Sequence, residues 1–327
     1  LGLLRLARLG SPRLLACLMA FYRPDSDLTQ ALHAVLDDLK AKRPGLEEQL
    51  SITWLLYDSS PIDLAAGLES KDVWSLPIRG AAHRSDQQRY PASVVKLAYA
   101  MAIEQWLSRD LLLESPELRR AMQDMIGDSS NDATSLVMAL LSGTTSGPEL
   151  PPDPFSSWAR QRQLVNQWFA SLGWPEWEGS NACQKTWGEG PYGRERQFYG
   201  ADLENRNRLS TDITARMLHA VLTGAWVSPL ASARLRDLLS RSLDLEERKA
   251  DPENQVDGFL GGGLPVESRL WSKAGWMSQA RHDAAYIETP GCRPFLVVAF
   301  SEGPERAADE SLLPDLTQRL IQASALS

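Results

Sequence analysis

The chain has 327 residues, 43% of them hydrophobic, and its 34 lysines and arginines against 42 aspartates and glutamates give a net charge of −8 at pH 7. This length allows one large domain or two interleaved ones, and the acidic balance argues against nucleic acid or an anionic membrane as the main partner. The three cysteines (Cys17, Cys183, Cys292) and the four histidines are scattered, so they indicate neither a disulfide framework nor a metal site.

Residues 1–24 are an N-terminal segment whose role the sequence leaves open. The first 22 residues are apolar with three arginines, a composition that export signals share. Only three apolar residues separate Arg13 from Cys17, however, which is too few for the apolar core of such a signal. No stretch approaches the roughly eighteen uncharged residues that span a bilayer, so we predict no transmembrane segment.

The chain becomes regular from residue 25. Asp27 is placed to cap a helix, and the apolar residues that follow fall on one stripe of that helix: Leu28, Leu32, Val35, Leu36 and Leu39. The run from 51 to 57 predicts a strand. Residues 62–89 predict one or two edge strands separated by polar turns.

The stretch 90–97 combines features that point to chemistry. Apolar residues from 97 to 103 predict a helix buried on most sides, with Pro91 and Ser93 in its first turn, where free backbone N–H groups favour an oxyanion. Lys96 follows Ser93 by three residues, so both side chains lie on one face. A desolvated lysine can take the proton of a serine hydroxyl. Alone, this spacing also fits a capping serine beside an exposed lysine.

Residues 97–224 predict an all-helical region. The expected helices are 114–127, 131–141, 157–172 and one that begins after the cap Ser210. Residues 179–208 have little periodicity, so we predict a long ordered loop there.

The last hundred residues predict an antiparallel meander. A glycine-rich turn at 258–265 precedes three strand candidates at 270–278, 283–288 and 295–301, and an amphipathic helix follows at 313–323. Periodicity alone therefore favours a mixed α/β protein.

Two further motifs follow Ser93 and Lys96 along the chain. Ser129-Ser130-Asn131 follows a Met-Ile pair, and Lys273-Ala274-Gly275 precedes the strand sequence Arg-His-Asp-Ala-Ala-Tyr-Ile. In this order the motifs resemble the S-x-x-K, S-D-N and K-T-G elements of class A β-lactamases and penicillin-binding proteins. The resemblance covers roughly residues 25–325.

The resemblance implies a β-lactamase/transpeptidase-like fold, in which an antiparallel sheet is flanked by the N- and C-terminal helices and an all-helical lobe is inserted between strands. It divides the chain into an α/β lobe (25–90 and 225–327) and a helical lobe (91–224), with the site in the cleft between them. It also implies a periplasmic or extracytoplasmic location, although residues 1–24 contain no clear signal peptide.

The resemblance implies a catalytic role for four residues. Ser93 attacks a carbonyl and forms an acyl-enzyme, and Lys96 takes its proton. The positive charge of Lys273, together with burial, lowers the pKa of Lys96 and keeps a neutral amine available. Ser129 relays the proton to the leaving nitrogen.

The resemblance is less complete at the positions that bind the substrate. The positions expected to line the substrate are Asn131, Ala274, Gly275, Trp276 and Arg281, and the backbone N–H groups of Ser93 and Trp276 match the oxyanion hole. Ala274 replaces the threonine of K-T-G and so removes a hydroxyl that helps to bind a substrate carboxylate. Ser272, Ser278 and Arg281 are the candidates to compensate for it.

The deacylating glutamate of class A enzymes, which has an asparagine four residues later, has no clear counterpart. The corresponding loop offers five glutamates, none with Asn at that distance: Glu176, Glu178, Glu189, Glu195 and Glu204. Glu195 is the best placed of them, and a simple surface charge is the alternative interpretation.

We therefore expect a serine hydrolase that transfers an acyl group from a β-lactam or related amide to Ser93, with no metal and no cofactor. Its substrate would be a small molecule or a D-amino-acid peptide. Because an acyl-enzyme persists without a base for water, a D-alanyl-D-alanine peptidase and a sensor module acylated by a β-lactam are the alternatives. A catalytically silent scaffold is disfavoured by the joint presence of the five motif residues Ser93, Lys96, Ser129, Asn131 and Lys273.

Overall fold

A computed structural model describes residues 21–64, 70–74 and 77–325. The expectations for residues 1–20, including Cys17, lie outside this range. The strands are β1 (Arg23–Pro24), β2 (Leu50–Leu56), β3 (Arg79–His83), β4 (Ser240–Arg241), β5 (Arg269–Met277), β6 (Ala280–Glu288) and β7 (Phe295–Glu302). Within the described residues they form one seven-stranded sheet in the order β1-β3-β2-β7-β6-β5-β4.

The sheet is antiparallel apart from the short pairing of β1 with β3. Strands β5, β6 and β7 form the predicted meander, and their register sets Lys273 opposite Ala284 and Trp276 opposite Arg281. These strands and β2 are buried along almost their whole length. Burial on both faces requires a layer of helices on each side of the sheet.

The described helices supply these two layers. They are α1 (Ser26–Lys40), α2 (Leu46–Gln49), α3 (Pro61–Leu64), α4 (Ser70–Val73), α5 (Lys96–Ser108), α6 (Pro116–Ile126), α7 (Asn131–Ser142), α8 (Pro152–Arg162), α9 (Leu164–Ser171), α10 (Gly193–Tyr199), α11 (Thr211–Leu222), α12 (Pro229–Leu239), α13 (Leu245–Ala250), α14 (Pro304–Ala308) and α15 (Leu312–Ser324). None of these helices combines the length and the hydropathy needed to cross a bilayer.

The N- and C-terminal helices α1 and α15 cover one face of the sheet. The predicted leucine and valine stripe of α1 is buried there, in one hydrophobic cluster with Trp54 of β2 and Leu316 of α15. The cap of α1 is Asp25, whose carboxylate accepts from the N–H groups of Asp27 and Leu28, both at 3.0 Å. The prediction of Asp27 as the cap was therefore wrong by two residues.

The other face of the sheet packs against the helices that lie between β3 and β4. Helix α5 is buried on all sides from Leu97 to Ile103, as predicted, and shares a second cluster with Leu218 of α11 and Val298 of β7. The mixed α/β architecture, with the terminal helices on one face, confirms the predicted fold class.

Two predicted segments of the helical region differ from the structure. The expected single helix 157–172 is a pair, α8 and α9, which begins earlier because Pro152 fits a first helical turn. The expected loop 179–208 contains the short helix α10, which includes Glu195. Only Glu195 and Phe198 of α10 are buried, so the helix carries no apolar periodicity that a sequence could reveal.

Candidate active site

The nucleophile segment is a 3₁₀ turn, Ala92–Val95, rather than the first turn of an α-helix, and α5 continues from Lys96. Ala92 has a φ of +46°. This left-handed conformation costs about 1–3 kcal/mol in a residue with a Cβ and persists only where the surrounding structure enforces it. It presents the half-buried Ser93 at the wall of a cleft, while Lys96 is fully buried beneath.

Lys96 contacts the second motif rather than Ser93. Its Nζ donates to the carbonyl and the Oγ of Ser129, the latter at 3.3 Å, and to Oδ1 of Asn131 at 3.0 Å. Among the described residues, Ser93 Oγ has no hydrogen-bond partner. The structure therefore brings Lys96, Ser129 and Asn131 together and leaves the hydroxyl of Ser93 open to the cleft.

Ser129 occupies a strained turn between α6 and α7. Its φ is +56°, the second left-handed conformation of a non-glycine residue at this site. Ser130 is the cap of α7, because its Oγ accepts from the N–H of Ala133 at 3.1 Å. Ser130 is therefore the residue that caps α7, whereas the hydroxyl of Ser129 faces Lys96 and Lys273.

Lys273 reaches the same hydroxyl from the sheet. Its Nζ donates to Ser129 Oγ at 3.0 Å, to the carbonyl of Ala274 at 2.8 Å, and to Oε1 of Gln255. Gln255 is a site residue that the sequence motifs do not mark. It lies in an irregular, mostly polar loop, 251–257, where no local pattern distinguishes a buried glutamine from an exposed one.

Burial controls the charge of both lysines. Lys96 forms no ion pair among the described residues, and its burial lowers its pKa to about 7. Burial, followed by the charges of Lys96 and Arg241, lowers the pKa of Lys273 well below its usual value. An amine that is partly neutral near pH 7 can accept a proton from a serine hydroxyl.

The backbone of β5 touches the nucleophile turn at Gly275. A Cβ at this position would lie 2.9 Å from the nitrogen of Ser93 and 3.0 Å from the carbonyl oxygen of Pro91. Only glycine permits this approach. The strand therefore brings the main chain of Trp276 towards that of Ser93, the two positions from which we expect oxyanion donors.

The cleft beside Ser93 has a volume of about 480 Å³. Its lining includes the predicted residues Ser93, Ser129, Asn131, Ala274, Gly275, Trp276 and Arg281. Trp276 is 58% exposed, and its Nε1 is fixed by the carbonyl of Ala307. Four carboxylate side chains also line the cleft: Asp128, Glu253, Asp257 and Glu310.

The three residues expected to compensate for the missing threonine are either bonded to other protein groups or absent from the lining of the cleft. Arg281 donates to the carbonyls of Ala307 and Gly258 and pairs with Glu310. Ser272 is fully buried, and Ser278 lies in the exposed turn after β5. The guanidinium of Arg281 thus lines the cleft with its donors already directed to protein oxygens.

Glu195 lies outside the cleft. Its side chain is fully buried, and Oε1 accepts from Arg162 and from Ser146 Oγ at 2.8 Å, with Lys185 at 4.0 Å. It is not among the residues that line the cleft of Ser93. The interpretation of Glu195 as a surface charge is wrong, because the side chain belongs to a buried ion pair.

The described residues contain no group of three or more His, Cys, Asp or Glu side chains arranged to hold a metal ion. A protein-family model described as the beta-lactamase enzyme family matches residues 113–324. The match includes Ser129, Asn131 and Lys273 and begins after Ser93 and Lys96. No curated protein matches the chain.

Solved structures with the same fold cover nearly the whole chain. A β-lactamase from Sphaerobacter thermophilus has a TM-score of 0.60 at 19% identity and covers 90% of this chain and 97% of its own. A β-lactamase from Xanthomonas campestris has a TM-score of 0.58 at 17% identity, with 90% and 98% covered. A variant of PBP-A, solved as an acyl-enzyme with penicillin G, has a TM-score of 0.60 at 17% identity, with 92% and 97% covered. These likenesses establish the β-lactamase/transpeptidase-like fold.

Proposed function

We propose that this chain, which belongs to the beta-lactamase enzyme family, is acylated on Ser93 by β-lactams or related amides and releases the acyl group slowly. Membership of the family makes it a serine hydrolase that acts on lactam or amide bonds. One observation carries the assignment of residues. The hydroxyl of Ser129 accepts from two buried amines, Lys96 at 3.3 Å and Lys273 at 3.0 Å, at the wall of the cleft that Ser93 also lines.

The first step is attack of Ser93 Oγ on the carbonyl carbon of the substrate, while the serine proton passes to the neutral amine of Lys96. Lys96 must turn towards Ser93 for this transfer, because its amine is hydrogen-bonded to Ser129 and Asn131 in this structure. The backbone N–H groups of Ser93 and Trp276 stabilise the negative charge on the carbonyl oxygen. The carbon–nitrogen bond of the amide then breaks. A proton moves through Ser129 Oγ to the leaving nitrogen, and an ester on Ser93 remains.

We expect slow release of the acyl group because of the residues that surround the ester on Ser93. Hydrolysis needs a base that activates water beside it. The four carboxylate side chains that line the cleft are exposed to solvent and none is hydrogen-bonded to Ser93, and Glu195 is buried against Arg162. The lack of a positioned carboxylate among the described residues favours a penicillin-binding-protein-like enzyme, such as a D-alanyl-D-alanine peptidase, over a fast β-lactamase.

The test uses a fluorescent penicillin and a chromogenic cephalosporin on the full chain. We expect stable fluorescent labelling of the wild type, none of Ser93→Ala, and colour release slower than about one turnover per minute. The matched control is Ser108→Ala, an exposed serine at the end of the same helix, α5, which should label like the wild type.

The outcomes separate the candidate reactions. Fast colour release that depends on Ser93 would replace slow acyl release with true β-lactamase activity. Labelling that survives in Ser93→Ala would contradict the assignment of the nucleophile. A folded wild type that neither labels nor releases colour would exclude β-lactams as substrates.

A further inference from the structure

Gln255 is a buried side chain in which every hydrogen-bonding position is used. Its Oε1 accepts from Lys273 Nζ and from the N–H of Ala274 at 3.2 Å. Its Nε2 donates to the carbonyls of Ile126 at 2.9 Å and Gly127 at 2.6 Å. A primary amide has two donor and two acceptor positions, so the group is completely satisfied.

These four bonds join two parts of the active site. The carbonyls of Ile126 and Gly127 end α6, immediately before the turn that holds Ser129, whereas residues 273 and 274 lie on β5. Arg241 reinforces the junction, because its guanidinium donates to Ile126 and to the carbonyl of Ser272, both at 2.9 Å. Gln255 therefore spans the gap between β5 and the Ser129 turn.

We propose that Gln255 is a positioning residue for acyl transfer, which holds the amine of Lys273 against the hydroxyl of Ser129 by binding β5 and the end of α6 at once. The inference rests on the proposed function, since Ser129 Oγ is the proton relay. Gln255 lines the same cleft as Ser93 and Ser129, but its amide hydrogen-bonds to neither of them, so its effect on the reaction passes through Lys273.

At position 255, unlike leucine or an ionised glutamate, an amide side chain can make all four of these hydrogen bonds. A leucine could fill the space but could neither accept from Lys273 nor donate to the carbonyls. An ionised glutamate could accept from Lys273 but would direct an acceptor at the two carbonyls. The other charged groups near Lys273 are Lys96, Arg241 and Asp283. A carboxylate at 255 would add a negative charge to this group and favour the protonated forms of both lysines.

The experiment measures the acylation rate constant of Ser93 by penicillin across pH 5 to 9 in three variants of the full chain. Gln255→Leu should acylate about a hundredfold more slowly, since a misplacement of about 1 Å can cost that much. The penicillin concentration for half-maximal rate should change less than about threefold. Gln255→Glu should move the rising limb of the pH profile upward by about one unit. The control Gln30→Leu, on the exposed side of α1, should match the wild type.

A second readout does not depend on activity. In a crystal structure of Gln255→Leu, Lys273 Nζ should move out of hydrogen-bonding distance of Ser129 Oγ, from which it lies 3.0 Å in the wild type. A folded Leu variant that keeps this hydrogen bond overturns the inference, whether or not the wild type is acylated. An unshifted pH profile in Gln255→Glu also overturns it. If the wild type fails to label but the lysine of the Leu variant has moved away from Ser129, the proposed function alone is contradicted.

Discussion

The buried cations of the described residues differ in the groups that accept their hydrogen bonds. In the helical region Arg162 lies fully buried with a carboxylate, that of Glu195, as its partner. At the cleft, Lys96 and Lys273 are equally buried, but their acceptors are a serine, an asparagine, a glutamine and main-chain carbonyls. Neither lysine has a carboxylate partner among the described residues.

The difference separates a structural role from a chemical one. A buried guanidinium paired with a carboxylate keeps its charge at every ordinary pH, and breaking the pair is costly. A buried amine with neutral partners loses its proton readily, which is useful only where a proton must be moved. The comparison predicts that substitutions at the cleft change rates, whereas substitutions at the Arg162 pair change stability.

The largest effect on the acylation rate should come from Lys96→Met. Removal of the base should slow acylation by about 10²–10⁴-fold, because general-base catalysis contributes about that factor. The free energy of unfolding should stay equal or rise, since a buried amine without a counter-charge is replaced by an apolar chain. Penicillin-labelling kinetics and urea unfolding check the two parts, with the exposed Lys42→Met as control. An unchanged rate would remove Lys96 from the mechanism.

Glu195→Gln should have the opposite effect, a loss of stability with little change in the labelling rate. It leaves the buried guanidinium of Arg162 without a counter-charge, which typically costs about 3–5 kcal/mol of stability. Urea unfolding measures the loss, and labelling of the folded variant should stay within about threefold of the wild type. The exposed pair of Glu117 and Arg120 provides the control, because Glu117→Gln should cost less than about 1 kcal/mol. Should the acyl-enzyme of Glu195→Gln live ten times longer, Glu195 would take part in deacylation after all.

The pH dependence of acylation should report Lys96. Its pKa is lowered to about 7, so the neutral amine predominates above that pH and the protonated form below it. The rate should therefore rise with pH through about 7 and fall roughly tenfold for each unit below, since the neutral fraction does so. Single-turnover labelling from pH 5 to 9 measures the curve. A rate that is flat over this interval, or falls with rising pH, contradicts a neutral Lys96 as base.

The smallest effect concerns the charge of the cleft wall. Glu253 is exposed there with no ion-pair partner among the described residues, and penicillin carries a carboxylate. Glu253→Lys should raise the second-order acylation rate about threefold at low salt, and salt should abolish the gain. The control is Glu267→Lys, an exposed glutamate before β5 that does not line the cleft. Equal gains in both variants would indicate an effect of net charge alone.

The elements that pack through apolar patterns were predictable from the sequence. The stripe of α1 and the closely spaced strands β5 to β7 arise from side chains that must be buried together, and this requirement acts locally. Helix α10 escaped prediction because two buried residues in one short helix produce no period.

The site was predictable only where a motif marked it. Ser93, Lys96, Ser129 and Lys273 stand at recognisable spacings, and the assignment of roles to them remains a prediction until labelling is measured. The position of Gln255, by contrast, depends on how a polar loop folds over β5. The pairing of Arg162 with Glu195 joins residues in separate helices, and no local signal records which charges meet across such a distance.

The close approach at Gly275 limits which positions of β5 can accept another amino acid. At Gly275 the main chain of β5 lies against the main chain of the nucleophile turn, and a side chain would not fit between them. The flanking positions can accept other side chains. They are buried Ala274, where the threonine hydroxyl of the K-T-G motif is missing, and exposed Trp276, which lines the cleft. We therefore expect substitutions at these two residues to alter the substrate range and to leave the main-chain contact at Gly275 unchanged.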